Sequence, residues 1–88
     1  MKAAIYKYPL SLRASSELTM PAPGRIVHVA MQAGDPYVWA IVWPDCGETI
    51  TRKLRIIGTG HEYDPTGLTH IATFQQPPFV WHVFEEMT

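Results

Sequence analysis

Apolar and polar residues alternate with a period of two along most of the chain, which is the spacing of β-strands. The run Arg25–Gln32 places apolar side chains on both faces of such a strand, and Tyr37–Trp43 does the same with larger residues. Thr49–Ile57 also alternates cleanly between two faces. The two apolar faces of Tyr37–Trp43 predict a central strand that is covered on both sides, or a strand of a small closed barrel.

Shorter alternating runs and the turns between them complete the pattern. Ala3–Tyr8, Thr69–Phe74 and Phe79–Phe84 are predicted strands, and Glu17–Met20 is a predicted short edge piece. Residues typical of turns separate the runs and predict three hairpins, at Ala33–Pro36, Pro44–Glu48 and Gln75–Pro78. No segment has a convincing helical period. The fold expected is all-β, a small antiparallel sandwich or partly open barrel of six to seven short strands joined by hairpins.

Length and charge narrow the class of protein. The chain has 88 residues, of which 47% are hydrophobic and 17% charged, so we expect one globular domain spanning residues 1–88. The formal charge of -1 gives no general attraction to nucleic acid or to anionic membranes, and it leaves little repulsion between copies. Cys46 is the single cysteine, so no intrachain disulfide forms. With no apolar run of about 20 residues and no signal peptide, we expect a cytoplasmic protein without membrane contact.

The residues that carry chemistry do not form a recognisable catalytic set. The serines lack a glycine elbow, and Cys46 has no adjacent histidine. His61, Glu62 and Asp64 offer metal ligands on one loop, but a metal site needs three or four ligands that converge, and no sequence-distant partner is evident. We therefore expect no catalytic residues, no metal and no cofactor, and a protein that is not an enzyme.

A glycine-containing loop is the first candidate binding site. Gly58 and Gly60 flank Thr59 and precede His61, and such glycines allow backbone N–H groups to turn toward a bound anion. Lys53 and Arg55 share one face of the strand that leads into the loop, and three of the seven cations lie between Arg52 and Arg55. These residues predict a phosphate-binding site for a nucleotide-like ligand. The alternative is a turn that needs two unusual φ values beside a solvated strand face.

Aromatic residues are the second candidate feature. Nine of the ten aromatic rings fall in predicted strands, more than one small core can hide, and an exposed apolar patch marks an interface. The residues expected at a subunit or partner interface are Tyr37, Trp39, Trp43 and Trp81. The same rings would also suit stacking of single-stranded bases, but that needs a basic groove for which only Arg52, Lys53 and Arg55 are available. We therefore favour a homo-oligomer over a nucleic-acid partner.

The order of segments resembles a known family. The sequence contains a Gly58–His61 loop that reads Gly-Thr-Gly-His and a final strand, Trp81–Glu85, that reads Trp-His-Val-Phe-Glu. In these segments and in their order the chain resembles the DUF7352-like family of short bacteriophage and prophage proteins over nearly its whole length. The resemblance implies a small phage accessory protein in the host cytoplasm, where inhibition of host defence and modulation of host enzymes are common roles.

Two mechanisms of binding stay open at this point. One is blockade of a host defence protein through the aromatic and strand-edge surface. The other is sequestration of a phosphorylated small-molecule signal by Lys53, Arg55 and the Gly58–His61 loop, in pockets between subunits. A small single-stranded nucleic-acid-binding module, or a structural or oligomerisation module, is the alternative from a different class.

Overall fold

Seven β-strands form the protein, and a computed structural model describes residues 1–87. The strands are β1 (Ala4–Pro9), β2 (Ser15–Pro21), β3 (Arg25–Gln32), β4 (Asp35–Val42), β5 (Thr49–Gly58), β6 (Leu68–Gln76) and β7 (Phe79–Glu86). One turn of 3₁₀ helix, η1 (Pro44–Cys46), lies between β4 and β5. No helix among these residues has the length and apolar character needed to cross a membrane.

The strands are arranged in two antiparallel sheets. The three-stranded sheet has the order β1-β4-β3, and the four-stranded sheet has the order β2-β5-β7-β6. Over the described residues the two sheets stay separate and do not close into a barrel. The predicted all-β class is therefore confirmed, as a small sandwich with β4 at the centre of one sheet.

The core lies between the inner faces of the two sheets. Alternate residues of β4 are completely buried, while their neighbours in sequence are half-buried on the opposite face. The main cluster of buried residues contains Leu10, Val29, Val38, Leu54, Ile56, Phe74 and Val83, and a second cluster contains Met20, Ala40 and Val42. Burial of these aliphatic side chains is the main force that holds the sheets together.

Turn chemistry predicted two of the three hairpins. Gln32 pairs with Asp35, so the β3–β4 turn consists of only Ala33 and Gly34, whose φ angles are 52° and 88°. Both angles belong to the left-handed region that a tight type I′ turn requires, and glycine reaches it without strain. The β6–β7 hairpin is equally tight, since Gln76 pairs with Phe79.

The predicted hairpin at Pro44–Glu48 is wrong, because this segment connects the two sheets instead of joining paired strands. Its proline and glycine do reverse the chain, but tertiary contacts decide where the next strand pairs. The Ala22 N–H donates to the Glu48 carbonyl at 2.9 Å, and the Cys46 thiol donates to the Ala22 carbonyl at 3.1 Å. These bonds tie the segment to the β2–β3 connection, so that β5 pairs with β2.

Candidate functional site

The outer face of the three-stranded sheet carries an aromatic row. Tyr37, Trp39 and Ile41 of β4 point outward because Val38, Ala40 and Val42, with which they alternate, point into the core. Strand pairing places Ile5 and Lys7 of β1 on one side of this row and Arg25 and His28 of β3 on the other. We call the surface formed by these seven outward residues the aromatic face: Ile5, Lys7, Arg25, His28, Tyr37, Trp39 and Ile41.

The rings of the aromatic face contact one another across the strands. The centroid of Trp39 lies 5.4 Å from the imidazole of His28 and 6.2 Å from the ring of Tyr37. The ammonium group of Lys7 lies 4.5 Å from the centroid of Tyr37 and donates a hydrogen bond to the Gln32 side chain at 2.9 Å. Cation–π contact and cross-strand packing therefore join these side chains in a continuous surface, in which neighbouring rings are tilted by 48° and 59° to each other.

The charge of this surface is positive. Lys7 and Arg25 stand on either side of the aromatic row, whereas Asp35, at the hairpin end, is the one carboxylate in β1, β3 and β4. The aromatic face thus combines rings, aliphatic side chains and cations. Of these, the aromatic residues and arginine are enriched at the centres of protein–protein interfaces and dominate the binding energy there, whereas lysine is depleted.

The four aromatic residues predicted for an interface occupy different environments. Tyr37 and Trp39 belong to the aromatic face, and Trp43 follows β4, half-buried, with its carbonyl accepting the Cys46 N–H. Trp81 lies on the inner side of the four-stranded sheet, where it packs against the main core cluster and donates its Nε1–H to Gln76 at 3.0 Å. The interface role of all four residues stays a prediction, and of the four only Tyr37 and Trp39 lie on the aromatic face.

The predicted anion loop uses its backbone donors within the protein. The Thr59 N–H donates to the Val80 carbonyl at 3.3 Å, and the His61 N–H donates to the Gly58 carbonyl at 3.1 Å. Gly60 has a φ of 89°, as a tight turn requires, but the N–H groups on either side of it are not free to bind a phosphate.

Gly58 has a packing role. A Cβ atom at this position would lie 3.1 Å from the ring of His61 and 3.2 Å from the ring of Trp81, closer than side chains normally pack. The missing side chain lets both rings approach the strand. A depression of about 330 Å³ beside them is lined by the Gly58–His61 turn and by Phe79, whose ring stacks on Trp81 at 5.5 Å. This depression is mainly apolar and aromatic.

The predicted basic cluster is largely neutralised by carboxylates from another strand. Arg52 pairs with Glu85 at 3.0 Å and also donates to two backbone carbonyls of the β2–β3 turn. Arg55 pairs with Glu86 at 3.1 Å, and Lys53 faces Glu17 in the strand register. The sequence did not reveal these pairs because the acidic residues of β7 lie about thirty positions away, and only the pairing of β5 with β7 brings them near.

A chain of hydrogen bonds on the outer face of the four-stranded sheet was not predicted. The Thr73 hydroxyl lies 2.9 Å from Nε2 of His70 and 3.0 Å from Nδ1 of His82, whose Nε2 lies 2.7 Å from the Thr59 hydroxyl. The Thr59 hydroxyl donates to the Val80 carbonyl at 3.4 Å, so it accepts a hydrogen bond from His82. The hydrogen bonds of the chain then all run in one direction: His70 donates to Thr73, Thr73 donates to His82, and His82 donates to Thr59. Alternating threonine and histidine on paired strands was the available signal.

The acidic loop before β6 has a local structural role. The Asp64 carboxylate accepts a hydrogen bond from the Thr66 N–H at 3.0 Å, and this bond lowers the pKa of Asp64 below its usual value. Within residues 1–87, no three histidine, cysteine or acidic side chains converge as a metal site would require. Tyr63 of the same loop packs on Phe84 with ring centroids 5.1 Å apart and covers it.

Comparison with known protein families gives a match over the full length of the chain. The model of one family, described as Domain of unknown function (DUF7352), matches residues 1–88. The chain belongs to the DUF7352 family. No curated protein and no solved structure gives a match. The match confirms the resemblance to this domain family, while the phage origin stays a prediction, and it brings no activity with it.

Proposed function

We propose that this DUF7352 protein acts without catalysis, by binding a partner protein through the aromatic face. The observation that carries the proposal is an outward row of Tyr37, Trp39 and Ile41 with no element of the described chain packed over it. Buried β4 residues on the opposite side account for the core, so the outward rings are not needed to fill it. Rings of this kind gain most free energy when a second surface removes them from water.

The charges beside the row favour a particular kind of partner. Lys7 and Arg25 lie at its two margins, and the ring of His28, on the same strand as Arg25, packs at a tilted angle against Trp39. A partner surface with an apolar centre and acidic margins complements this arrangement, since a polar rim around an apolar centre is the usual anatomy of an interface.

The resemblance to phage proteins extends the proposal to a biological role. A small phage accessory protein that binds through one face would act by blocking a host protein, and a host defence protein is the partner we propose. This extension rests on the resemblance alone, because the family match carries no information on origin or partner.

Sequestration of a phosphorylated signal has weaker support from the geometry. Arg52 and Arg55 are paired with glutamates, and the N–H groups of Thr59 and His61 are bonded to carbonyls. A phosphate would have to displace these partners before it gained the same bonds. The hypothesis stays a prediction, and calorimetric titration of wild-type protein and Arg55→Ala with a panel of mono-, di- and cyclic nucleotides tests it.

Site-specific photo-crosslinking in bacterial cells tests the protein-binding proposal. A benzophenone amino acid replaces His28 on the aromatic face in one variant and Thr51 on the outer face of the four-stranded sheet in another. Both residues are exposed and point outward from a strand, so the two variants are matched. We expect a discrete crosslinked protein from position 28, absent when Trp39→Ala is added. Equal crosslinking from both positions, or crosslinking unaffected by Trp39→Ala, would contradict the proposal.

A further inference from the structure

The four edge strands of the sandwich differ in how well they are protected. Edges β3 and β6 lie alongside each other, and each contains a bulge that interrupts a regular ladder. Edge β2 carries Glu17, ends at Pro21 and has η1 beside it. Edge β1 also ends at a proline, Pro9, but residues 4–8 pair with β4 in an unbroken register and contain no bulge and no acidic side chain. Exposed regular edges are templates for a further strand.

The backbone of β1 presents donors and acceptors on its free side. The Leu10 N–H donates to the Pro36 carbonyl at 3.0 Å, and these two residues continue the β1–β4 register. Hydrogen-bonded and non-hydrogen-bonded residue pairs alternate along an antiparallel ladder. Since Leu10 is bonded to β4, the even-numbered residues of β1 direct their N–H and C=O groups toward β4. The N–H and C=O groups of Ile5 and Lys7 therefore point outward. Pro9 has no N–H and ends this row.

The side chains of β1 leave that edge open. Lysine commonly protects an edge strand, but the ammonium group of Lys7 reaches across β4 to Gln32 on β3 and away from the free edge. Ile5, beside it, is 64% exposed, which is unusual for an isoleucine in a strand.

We propose that β1 pairs with β1 of a second copy of this chain, antiparallel and about a two-fold axis. The outward groups of Ile5 then meet those of Lys7 of the second copy, and each such pair exchanges two hydrogen bonds. Tyr6 lies at the axis in this register. A register centred on Lys7 would set the two positively charged Lys7 side chains opposite each other. It would also require a backbone N–H from Pro9, which has none, so the first register is preferred.

The resulting dimer has a defined geometry. Two three-stranded sheets become one six-stranded sheet with both aromatic faces on the same side. Such a dimer would present two equivalent binding surfaces side by side. The inference stands on the edge of β1 and does not depend on the proposed function, since it is tested with the purified protein alone.

Sedimentation equilibrium of three proteins tests the register. Ile5→Glu places a carboxylate opposite Lys7 of the second copy, whereas Ile5→Lys places an ammonium group there. Because each interface contains this pair twice, we expect the dimer dissociation constant to be about ten-fold or more weaker for Ile5→Lys than for Ile5→Glu. Thr51→Glu and Thr51→Lys, on the other sheet, make the same changes in net charge and should leave dimerisation unchanged. Circular dichroism confirms that the variants remain folded.

Amide hydrogen exchange of the wild-type protein supplies a second measurement. The amides of Ile5 and Lys7 should become protected as concentration rises, although neither donates to β4. A wild-type monomer at about 100 µM would overturn the proposal. So would equal dissociation constants for the two Ile5 variants, or Ile5 and Lys7 amides whose exchange is independent of concentration.

Discussion

The outer faces of the two sheets contrast in how their side chains are satisfied. On the four-stranded sheet, hydroxyls and imidazoles bond to one another, and the Thr19 and Thr51 hydroxyls lie 3.0 Å apart across paired strands. Phe84, the large ring on that face, is covered by Tyr63. On the three-stranded sheet, the rings of the aromatic face contact one another at tilted angles, and no loop within residues 1–87 packs over them.

This difference between the two outer faces indicates which of them is the better candidate for binding a second molecule. Polar groups that hydrogen-bond to one another and to water cost little free energy when they remain exposed. Aromatic rings on an uncovered sheet face keep one side in contact with water even when they pack against each other. On the outer face of the four-stranded sheet, several polar groups have hydrogen-bond partners within the chain. The aromatic face gains from a second molecule, and the free edge of β1 lies at its margin.

The largest expected effect separates a core ring from a face ring. Trp81→Ala removes a ring that packs on the core cluster, and we expect the free energy of unfolding to fall by about 2–4 kcal/mol. Trp39→Ala removes a ring from the aromatic face, and the loss should be about 1 kcal/mol. Urea denaturation of both variants measures this. Losses of similar size would mean that Trp39 belongs to the core and would remove the contrast.

The second-largest expected effect is a difference between the two arginine–glutamate pairs of β5 in their contribution to the free energy of unfolding. Arg52 and Glu85 are only 26% and 17% exposed, so Arg52→Met leaves a poorly hydrated carboxylate, with an expected loss of about 2–3 kcal/mol. The Arg55–Glu86 pair is 40% and 35% exposed, and Arg55→Met should cost about 0.5 kcal/mol or less. The same denaturation experiment compares them. A larger loss from Arg55→Met would indicate that the outward pair is the structural one.

Breaking the chain of hydrogen bonds on the four-stranded sheet should lower the free energy of unfolding by a smaller amount. Thr73→Val removes the hydroxyl between His70 and His82, and we expect a loss of about 0.5–1 kcal/mol. Nitrogen-15 NMR of the imidazoles should show a changed tautomer balance at His82. Crosslinking from position 28 should stay the same, because the altered residue lies on the opposite sheet. An unchanged His82 spectrum would refute the chain of bonds.

The smallest expected effect is a change in stability at high pH, caused by Tyr8 on the inner side of the three-stranded sheet. Burial raises the pKa of Tyr8 above 10.0, and the phenol of Tyr6 raises it further. Folding therefore favours the protonated phenol, so this stabilisation is complete below about pH 10 and disappears as pH rises through the raised pKa. Tyr8→Phe should abolish that part of the alkaline loss of stability, and Tyr6→Phe should reduce it. Denaturation curves collected across this pH range would show no difference if Tyr8 were solvated.

The alternation of residues by itself determined the strands and the face on which each side chain lies. In β4 the small aliphatic residues point one way and the large rings the other, and this follows from the period of two alone. The turns at Ala33–Gly34 and Pro77–Pro78 were also predictable, because hairpins this short depend on local backbone conformation. The number of aromatic rings in predicted strands was enough to nominate Tyr37 and Trp39 as interface residues, together with Trp43 and Trp81. Which face of β4 points outward was decided by packing.

Tertiary structure decided which strands are neighbours, and with them the character of the candidate sites. Local turn chemistry does not distinguish a hairpin from a passage between sheets, so Pro44–Glu48 could not be assigned from sequence. Pairing of β5 with β7 joined Arg55 to Glu86 and gave the Thr59 N–H a carbonyl partner, so groups predicted to bind an anion have partners within the chain. The anion site itself stays a prediction. Interactions between residues distant in sequence depend on register, and register is fixed only when two faces pack around one core.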